Sequence, residues 1–290
     1  MSWTINQALQ EAVSFLRARG IEGPRKEAEY LLCFLLEKER AYLYAHGEHL
    51  LSDPEKNRFL QLLGQRGCRE PLAYLTGEKE FMGKTFLVNR AVLIPRPETE
   101  HLVEAANRWL RETYPRQRGG EGFSLLDLGT GCGNIAVMLA LVFPAAAITA
   151  VDHSAEALQV ARENAVLHGV DDRVKTICSS FWRSLAPGQH RFQAVISNPP
   201  YVPRSTLASL TAEVQKEPRS ALDGGDDGLE AYRKILPNAR DYLTIPGLVA
   251  LEVGENQAES VGAIARSAGL MVDQIILDYG SRERVILLRA

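Results

Sequence analysis

Apolar residues recur with two different periods along the chain, and the change of period divides it. Residues 1 to about 75 repeat apolar positions at helix spacing, which predicts a small helical bundle. The first helix should begin at a capping box of Thr4 with Gln7 and end at Gly20, and a second should follow Pro24. A third should begin at the N-cap Asp53, with Pro54 at its first helical position.

Residues 76–94 contain the stretch EKEFMGKTFLVN, in which apolar and polar residues alternate around Gly83. This alternation predicts a β-hairpin that links the helical bundle to the rest of the chain. A helix is predicted after IPRPETE, because one face collects apolar side chains, namely Leu102, Val103, Ala106, Trp109 and Leu110.

From residue 123 onward, short apolar runs alternate with helical segments, such as the one from the N-cap Ser154 to the stop Gly169. The runs are FSLLDLG, AAITAVD, RVKTICS, FQAVISN, GLVALEV, DQIILDY and RVILLRA. Such alternation predicts a mostly parallel sheet covered on both faces. Only GSRE separates the last two runs, so they should pair antiparallel. We therefore predict an α/β fold with a seven-stranded sheet in residues 95–290.

Composition narrows the class of protein. The chain has 290 residues, 46% hydrophobic residues and a net charge of −3, which fits a globular protein and lacks the basic excess typical of nucleic-acid binding. Its four cysteines form no CxxC pair, so we expect no metal site and a reducing compartment. The N-terminus resembles neither a signal peptide nor a membrane span, so we expect a soluble cytoplasmic protein.

A glycine loop in LLDLGTGCGNIAV is the first candidate binding feature. Its spacing is G-x-G-x-G, one residue shorter than the dinucleotide-binding pattern. Asp127 directly precedes the loop, where a carboxylate would repel a pyrophosphate and attract an ammonium group. Asp152, about 20 residues on, is placed to accept hydrogen bonds from ribose hydroxyls. A nucleoside with an amino-acid tail, such as S-adenosylmethionine, therefore fits better than a dinucleotide. The loop residues are Gly129, Thr130, Gly131, Cys132 and Gly133.

Two aromatic residues follow the third strand in the stretch CSSFW. Phe181 or Trp182 could lie against an adenine ring, since stacking suits any flat base. Equally, both rings could belong to the core.

The fourth strand ends in the stretch ISNPPYVP. We call its residues 198–201 the NPPY segment. Ligands of open α/β sheets bind beyond the carboxyl ends of the strands, so this segment should border the same crevice as the glycine loop. The Asn198 side-chain oxygen and the Pro199 carbonyl could accept both hydrogens of a planar amino group. Pro199 and Pro200 would hold these acceptors rigidly, and Tyr201 could stack on the group. Taken without its context, the tetrapeptide is an ordinary turn.

The motifs LDLGTGCGNIAV, AVD and ISNPPYVP together resemble the class I S-adenosylmethionine-dependent methyltransferases that act on planar amino groups. The stretches EPLAYLTGEKEFMGKTFLVNRAVLIPRPETE and EPRSALDGGDDGLEAYRKI, with the N-terminal bundle, resemble the protein-(glutamine) methyltransferases of peptide chain release factors, the PrmC/HemK family. The resemblance runs from about residue 5 to the C-terminus. It implies a seven-stranded class I (Rossmann-like) sheet as the catalytic domain.

The resemblance also implies a substrate, the glutamine of the release-factor GGQ loop, with S-adenosylmethionine as cofactor. Asp127 and the glycine loop would hold the methionine end, Asp152 the ribose, and the NPPY segment the glutamine amide, with Asn198 also next to the cofactor. The bundle (1–75) and the hairpin (76–94) would bind the release factor, and residues 95–98 would line the approach. Two residues depart from the family pattern. Cys132 stands where the family more often has serine, threonine or alanine. Ser180 stands where the family commonly has an acid that would contact the adenine amino group, and its presence favours Phe181 as the adenine neighbour.

Two other functions fit parts of the pattern. An adenine-amino methyltransferase acting on DNA or RNA would share the NPPY segment, but the net negative charge argues against a nucleic-acid partner. A non-catalytic module with a methyltransferase fold would not need Asp127, Asp152 and Asn198 together. Neither a nucleic acid nor a membrane is therefore expected as a partner.

Overall fold

The computed structural model describes residues 3–188 and 190–290, and the chain divides into two compact units. The first unit holds the residues up to Glu78 together with Thr211–Lys216, and the second holds Lys79–Leu210 and Glu217–Ala290. The sequence predicted three parts, namely a bundle (1–75) and a hairpin (76–94) that bind the substrate protein and a catalytic domain (95–290). This division and these roles stay predictions. Among the described residues, every helix is too short or too polar to cross a bilayer.

The described part of the first unit is helical, as predicted. Its helices are α1 (Ile5–Ala18), α2 (Pro24–Leu36), α3 (Arg40–Ala45), α4 (Asp53–Gly67) and α5 (Leu72–Thr76). The three long helices contact one another around a buried apolar core. The sequence did not predict α3 and α5, because five or six residues are too few to show a period.

Capping residues determine where the long helices begin. The capping box predicted for α1 is confirmed, since the Thr4 side chain accepts from the Gln7 backbone and the Gln7 side chain accepts from Thr4. Asp53 was predicted as the N-cap of α4, and this is wrong. Ser52 is the cap, because a cap at 52 puts Glu55 at the third helical position, where its carboxylate accepts the Ser52 N–H at 2.7 Å.

A segment distant in sequence completes the first unit. Glu213 accepts hydrogen bonds from Arg66 at 3.0 Å and from Arg69 at 3.1 Å, and Lys216 lies 3.4 Å from Glu70. The Arg66 guanidinium is buried and also pairs with Glu27 at 2.5 Å. A buried guanidinium needs such partners, so these ion pairs hold the segment on α4.

The predicted hairpin lies at the start of the second unit, which begins at its second residue, Lys79. Strands β1 (Glu78–Phe81) and β2 (Lys84–Leu87) are joined by Met82 and Gly83. Both turn residues have positive φ, 49° and 70°, which is the signature of a type I′ turn.

Helices and strands then alternate along the rest of the second unit. The helices are α6 (Glu98–Thr113), α7 (Asn134–Val142), α8 (Ala155–Leu167), α9 (Glu230–Ala239) and α10 (Ala258–Ser267). The strands are β3 (Ser124–Leu128), β4 (Ala147–Asp152), β5 (Val174–Cys178), β6 (Phe192–Ser197), β7 (Leu243–Glu252), β8 (Met271–Leu277) and β9 (Glu283–Arg289). Strand β7 begins at Leu243, four residues before the run GLVALEV that predicted it.

The seven strands of this described region form one sheet in the order β5-β4-β3-β6-β7-β9-β8. Strands β3 to β7 are parallel, and β9 pairs antiparallel with both β7 and β8. The predicted seven-stranded, mostly parallel α/β sheet with a terminal antiparallel hairpin is therefore confirmed.

Both faces of the sheet are covered by helices. In β3, Leu125 points into a core shared with α6 and α7, and Leu126 points into the opposite core shared with α9 and α10. From β3 the chain adds β4 and β5 on one side and then returns to place β6 on the other side. This change of direction creates a crevice at the carboxyl ends of β3 and β6, where ligands of such sheets bind.

The corrected cap of α4 gives a test of the first unit. We expect Ser52→Ala to lower the free energy of unfolding by about 1 kcal/mol, because the Glu55 backbone N–H loses its acceptor, the Ser52 hydroxyl oxygen. Asp53→Ala should cost about 0.3–0.5 kcal/mol, since it removes only a favourable charge near the helix N-terminus. Urea denaturation of the full chain measures both, and a larger loss for Asp53→Ala would contradict the assignment.

Candidate active site

A cavity of about 380 Å³ opens at the carboxyl ends of β3, β4 and β6, a size typical of small-molecule sites. It brings together many of the residues that the sequence singled out: Gly129, Gly131, Asp152, Phe181, Asn198, Pro199 and Pro200. Five predicted site residues do not line it: Asp127, Thr130, Cys132, Gly133 and Tyr201.

The glycine loop forms one wall of this cavity. Gly129 and Gly131 have φ of +77° and +55°, and a Cβ on either would meet open space, which leaves room for a ligand against the backbone. Gly133 serves packing instead, because its Cβ would lie 3.1 Å from Ala161 in α8. Helix α7 begins directly afterwards, and Gly133 at its N-cap position has no side chain that could cap it.

Asp127 lies behind the loop and is fully buried. Its Oδ2 accepts hydrogen bonds from the Thr130 hydroxyl at 2.6 Å and from the Ala136 N–H at 3.2 Å. Its Oδ1 has no hydrogen-bond partner among the described residues. Burial raises the pKa of this carboxyl to about 7, because the charged form loses its hydration. Asp127 therefore holds the loop and can supply negative charge from behind it.

Asp152 ends β4 at the cavity wall, and its carboxylate is held by backbone groups. Oδ2 accepts the Gly131 N–H at 3.0 Å, and Oδ1 accepts the Ser154 N–H at 2.9 Å. Each carboxylate oxygen can accept a further hydrogen bond, so the group is oriented and still able to receive ligand hydroxyls.

The two aromatic residues after β5 have different environments. Phe181 has φ of 47° and lines the cavity, as does Ser180. Trp182 belongs to the core, where its ring stacks on Tyr242 with centroids 4.4 Å apart and its Nε1 donates to the Ile235 carbonyl at 3.0 Å. Of this pair, only Phe181 is available to a ligand in the cavity.

The NPPY segment follows β6, and its residues Asn198, Pro199 and Pro200 line the cavity. The Asn198 Nδ2 donates to the Thr99 hydroxyl oxygen at 3.0 Å, and Thr99 donates to Oε2 of Glu252 at 2.6 Å. The Tyr201 hydroxyl donates to the other oxygen, Oε1, at 3.2 Å. Burial and the adjacent Glu252 charge raise the pKa of Tyr201, so this hydroxyl keeps its proton.

Sequence reasoning did not identify Thr99 and Glu252. Glu252 is fully buried, and burial raises its pKa to about 7 against the opposing effects of Thr99, Arg284 and Tyr201. A signal for it was present in the sequence, because an acid within the apolar run GLVALEV is unusual for a buried strand. Thr99 had no comparable signal, since threonine is common near helix starts.

Further lining residues come from the segment between β6 and α9 and from α9 itself. Arg204, Asp223, Glu230 and Lys234 line the cavity. Arg204 pairs with Asp223 at 3.3 Å and with Asp226 at 2.8 Å, which fixes this segment over the cavity. Charged residues of both signs thus border the cavity.

Two protein families match this chain. The PrmC N-terminal domain matches residues 7–77, and the methyltransferase small domain matches residues 100–245. A solved methyltransferase from Pyrococcus furiosus is 19% identical, covers 82% of this chain and 98% of its own, and superimposes with a TM-score of 0.51. This likeness concerns the fold, and with the family match it confirms the class I methyltransferase architecture.

Several relatives at about 40% identity are named release factor glutamine methyltransferase. The chain is 43% identical over 286 residues to the release factor glutamine methyltransferase of Moorella thermoacetica, an alignment that covers 98% of each chain. It is 40% identical over 260 residues to the protein of the same name from Geobacter sulfurreducens, which covers 89% of this chain and 87% of that one. The chain therefore belongs to the release factor glutamine methyltransferase family.

Proposed function

We propose that the protein transfers a methyl group from S-adenosylmethionine to the side-chain amide nitrogen of the glutamine in the GGQ motif of a peptide chain release factor. One observation carries the proposal. A single cavity has the glycine loop and Asp152 on one wall and Asn198, Pro199 and Pro200 on another. A methyl donor and a planar amide can therefore meet between the two walls.

The residues present fit the proposed cofactor. The Asp152 carboxylate, held by the Gly131 and Ser154 N–H groups, would accept the ribose hydroxyls. The open space beside Gly129 and Gly131 would admit the amino-acid tail, and the buried Asp127 charge would favour its ammonium group. Phe181 would lie against the adenine. When bound, S-adenosylmethionine supplies an electrophilic methyl group on a positively charged sulfur.

The NPPY segment would orient the nucleophile. The Asn198 Oδ1 and the Pro199 carbonyl would accept the two hydrogens of the glutamine amide, which directs the nitrogen lone pair toward the methyl carbon. The same two acceptors would stabilise positive charge that develops on the nitrogen. S-adenosylmethionine would supply the methyl group to this nitrogen, and the electron pair of the broken C–S bond would stay on sulfur. The amide nitrogen then releases one proton to solvent.

The N-terminal unit is proposed to recognise the substrate protein. The helical bundle (1–75) and the hairpin (76–94) would bind the release factor, and residues 95–290 would carry out the transfer. Residues 95–98 would line the approach of the glutamine. We propose the cytoplasm as the location, in keeping with four cysteines that form no disulfide.

A labelled methyl-transfer assay tests the proposal. We expect methyl incorporation into a release factor and none when its GGQ glutamine is replaced by alanine. Ribosomal RNA and DNA serve as parallel acceptors, and label in either one instead would support an adenine-amino methyltransferase.

Asn198→Ala should lower the turnover number at least about 100-fold, because an acceptor aimed at the reacting nitrogen is lost. Near-normal turnover of this variant would contradict the role of Asn198.

Asp152→Ala should weaken S-adenosylmethionine binding about 10- to 100-fold, since hydrogen bonds to a charged acceptor disappear. Isothermal titration calorimetry measures the affinity. Asp172→Ala is a matched control, because this exposed carboxylate does not line the cavity and pairs only loosely with Arg173, at 3.7 Å. Equal affinity of wild type and Asp152→Ala would refute the ribose assignment.

The raised pKa of Asp127 predicts a pH dependence of cofactor binding. The ionised carboxylate attracts a cationic ligand, so affinity should rise with pH through about 7, by up to about 10-fold from pH 6 to pH 8. The α-amino group of the cofactor also titrates near this range, so Asp127→Asn serves as the reference, because asparagine keeps the shape of the side chain and carries no charge. Calorimetry measures how the affinity for S-adenosylmethionine changes with pH in wild type and in Asp127→Asn. The difference between these two slopes isolates the effect of the Asp127 charge. Identical slopes would contradict its electrostatic role.

A further inference from the structure

Glu252 is a buried acid that is connected to both ends of the NPPY segment. It is the last residue of β7, fully buried beneath the cavity, and it does not line the cavity itself. Thr99 donates to its Oε2 at 2.6 Å, and the Tyr201 hydroxyl donates to its Oε1 at 3.2 Å. Burying a carboxylate is costly unless it is well satisfied, so its presence here calls for a function.

The direction of each hydrogen bond follows from the chemistry of Glu252. An ionised carboxylate can only accept hydrogen bonds, so the single hydrogen of the Thr99 hydroxyl must point to Glu252. The Thr99 oxygen then has only lone pairs to offer its other neighbour. That neighbour is the Asn198 side chain, 3.0 Å away, and it must present its NH₂ group to Thr99.

This chain of bonds decides which way the Asn198 amide faces. With its NH₂ bonded to Thr99, its oxygen is the atom left for a ligand in the cavity. The opposite orientation would place Oδ1 against a hydroxyl oxygen that has no hydrogen left to donate. It would also turn two donors toward the donors of a substrate amide. A glutamine amide could then no longer give a hydrogen to Asn198.

The hydrogen-bond directions described above require Glu252 to be ionised. Burial raises its pKa to about 7, the charge of Glu98 adds to this rise, and the hydrogen bonds from Thr99 and Tyr201 and the Arg284 guanidinium oppose it. The Tyr232 hydroxyl donates to the Glu252 backbone carbonyl at 2.8 Å and fixes the strand end. At a pH well above 7 the carboxylate is therefore ionised, and it accepts the hydrogen bonds from Thr99 and Tyr201.

We propose that Glu252, acting through Thr99, is a positioning residue that sets the orientation of the Asn198 amide, and that its bond to Tyr201 holds the other end of the NPPY segment. This inference rests on the proposed function, in which the Asn198 oxygen accepts a hydrogen from the substrate amide. Glu252 itself touches neither the substrate nor the cofactor.

Thr99→Val and Thr99→Ser form a matched pair for the test. Valine keeps the shape and removes the hydroxyl, whereas serine keeps the hydroxyl. At pH 8.5, we expect Thr99→Val to lower kcat for release-factor methylation about 10- to 100-fold with S-adenosylmethionine affinity changed less than about 3-fold. Thr99→Ser should stay within about 3-fold of wild type. Equal kcat for the two variants would overturn the inference.

Glu252→Gln tests the acid itself. A glutamine offers one acceptor and one donor group, so Thr99 or Tyr201 must lose its acceptor. In molecules where Thr99 loses it, the orientation of the Asn198 amide is no longer fixed. We expect kcat to fall at least about 5-fold, with the melting temperature and KM close to those of wild type. A purely structural role would instead move the melting temperature and leave kcat unchanged.

A second measurement needs no methyl acceptor. In protein labelled with ¹⁵N-asparagine, the Asn198 side-chain NH₂ signal is assigned by its loss in Asn198→Ala. We expect one of its protons to show a hydrogen-bonded chemical shift in wild type and Thr99→Ser, and to lose it in Thr99→Val. An unchanged signal in Thr99→Val would overturn the inference. A wild-type protein with no activity on release factor would contradict the proposed function alone.

Discussion

The parallel pairing of β3 with β4 on one side and β6 on the other is the constraint on which the site depends. Asp127 in β3 is aligned with Ala150 in β4 and with Ile196 in β6. Two residues further along, each strand reaches a site residue at the same level, namely Gly129, Asp152 and Asn198. A slip of one strand by a single residue would turn these side chains to the other face of the sheet.

Two fully buried carboxylates support the two walls of the cavity. Asp127 lies behind the glycine loop and bonds to the loop and to the start of α7, and Glu252 lies behind the NPPY segment and connects to it through Thr99 and Tyr201. Burial raises the pKa of both to about 7. Buried acids of this kind contribute little to stability, and they cluster at functional sites because they fix polar geometry in a dry environment.

Much of the fold could be predicted because local physics agrees with the global structure. The strand runs, the hairpin turn at Gly83 and the capping box at Thr4 all follow from short-range patterns. The errors arose where two local solutions compete or where the period is too short. Ser52 and Asp53 are both good caps, and only the position of Glu55 decides between them.

The sequence by itself determined which chemical groups stand at the strand ends, because loop spacing and residue type already specify a glycine loop, an acid and a rigid amide. It could not decide which of these groups reach the cavity. The tertiary structure places Phe181 at the cavity wall and Trp182 in the core, and it puts Asp127 behind the loop. It alone brings Thr99 and Glu252 to Asn198, since hydrogen bonds across 99 and 153 residues of chain leave no local pattern.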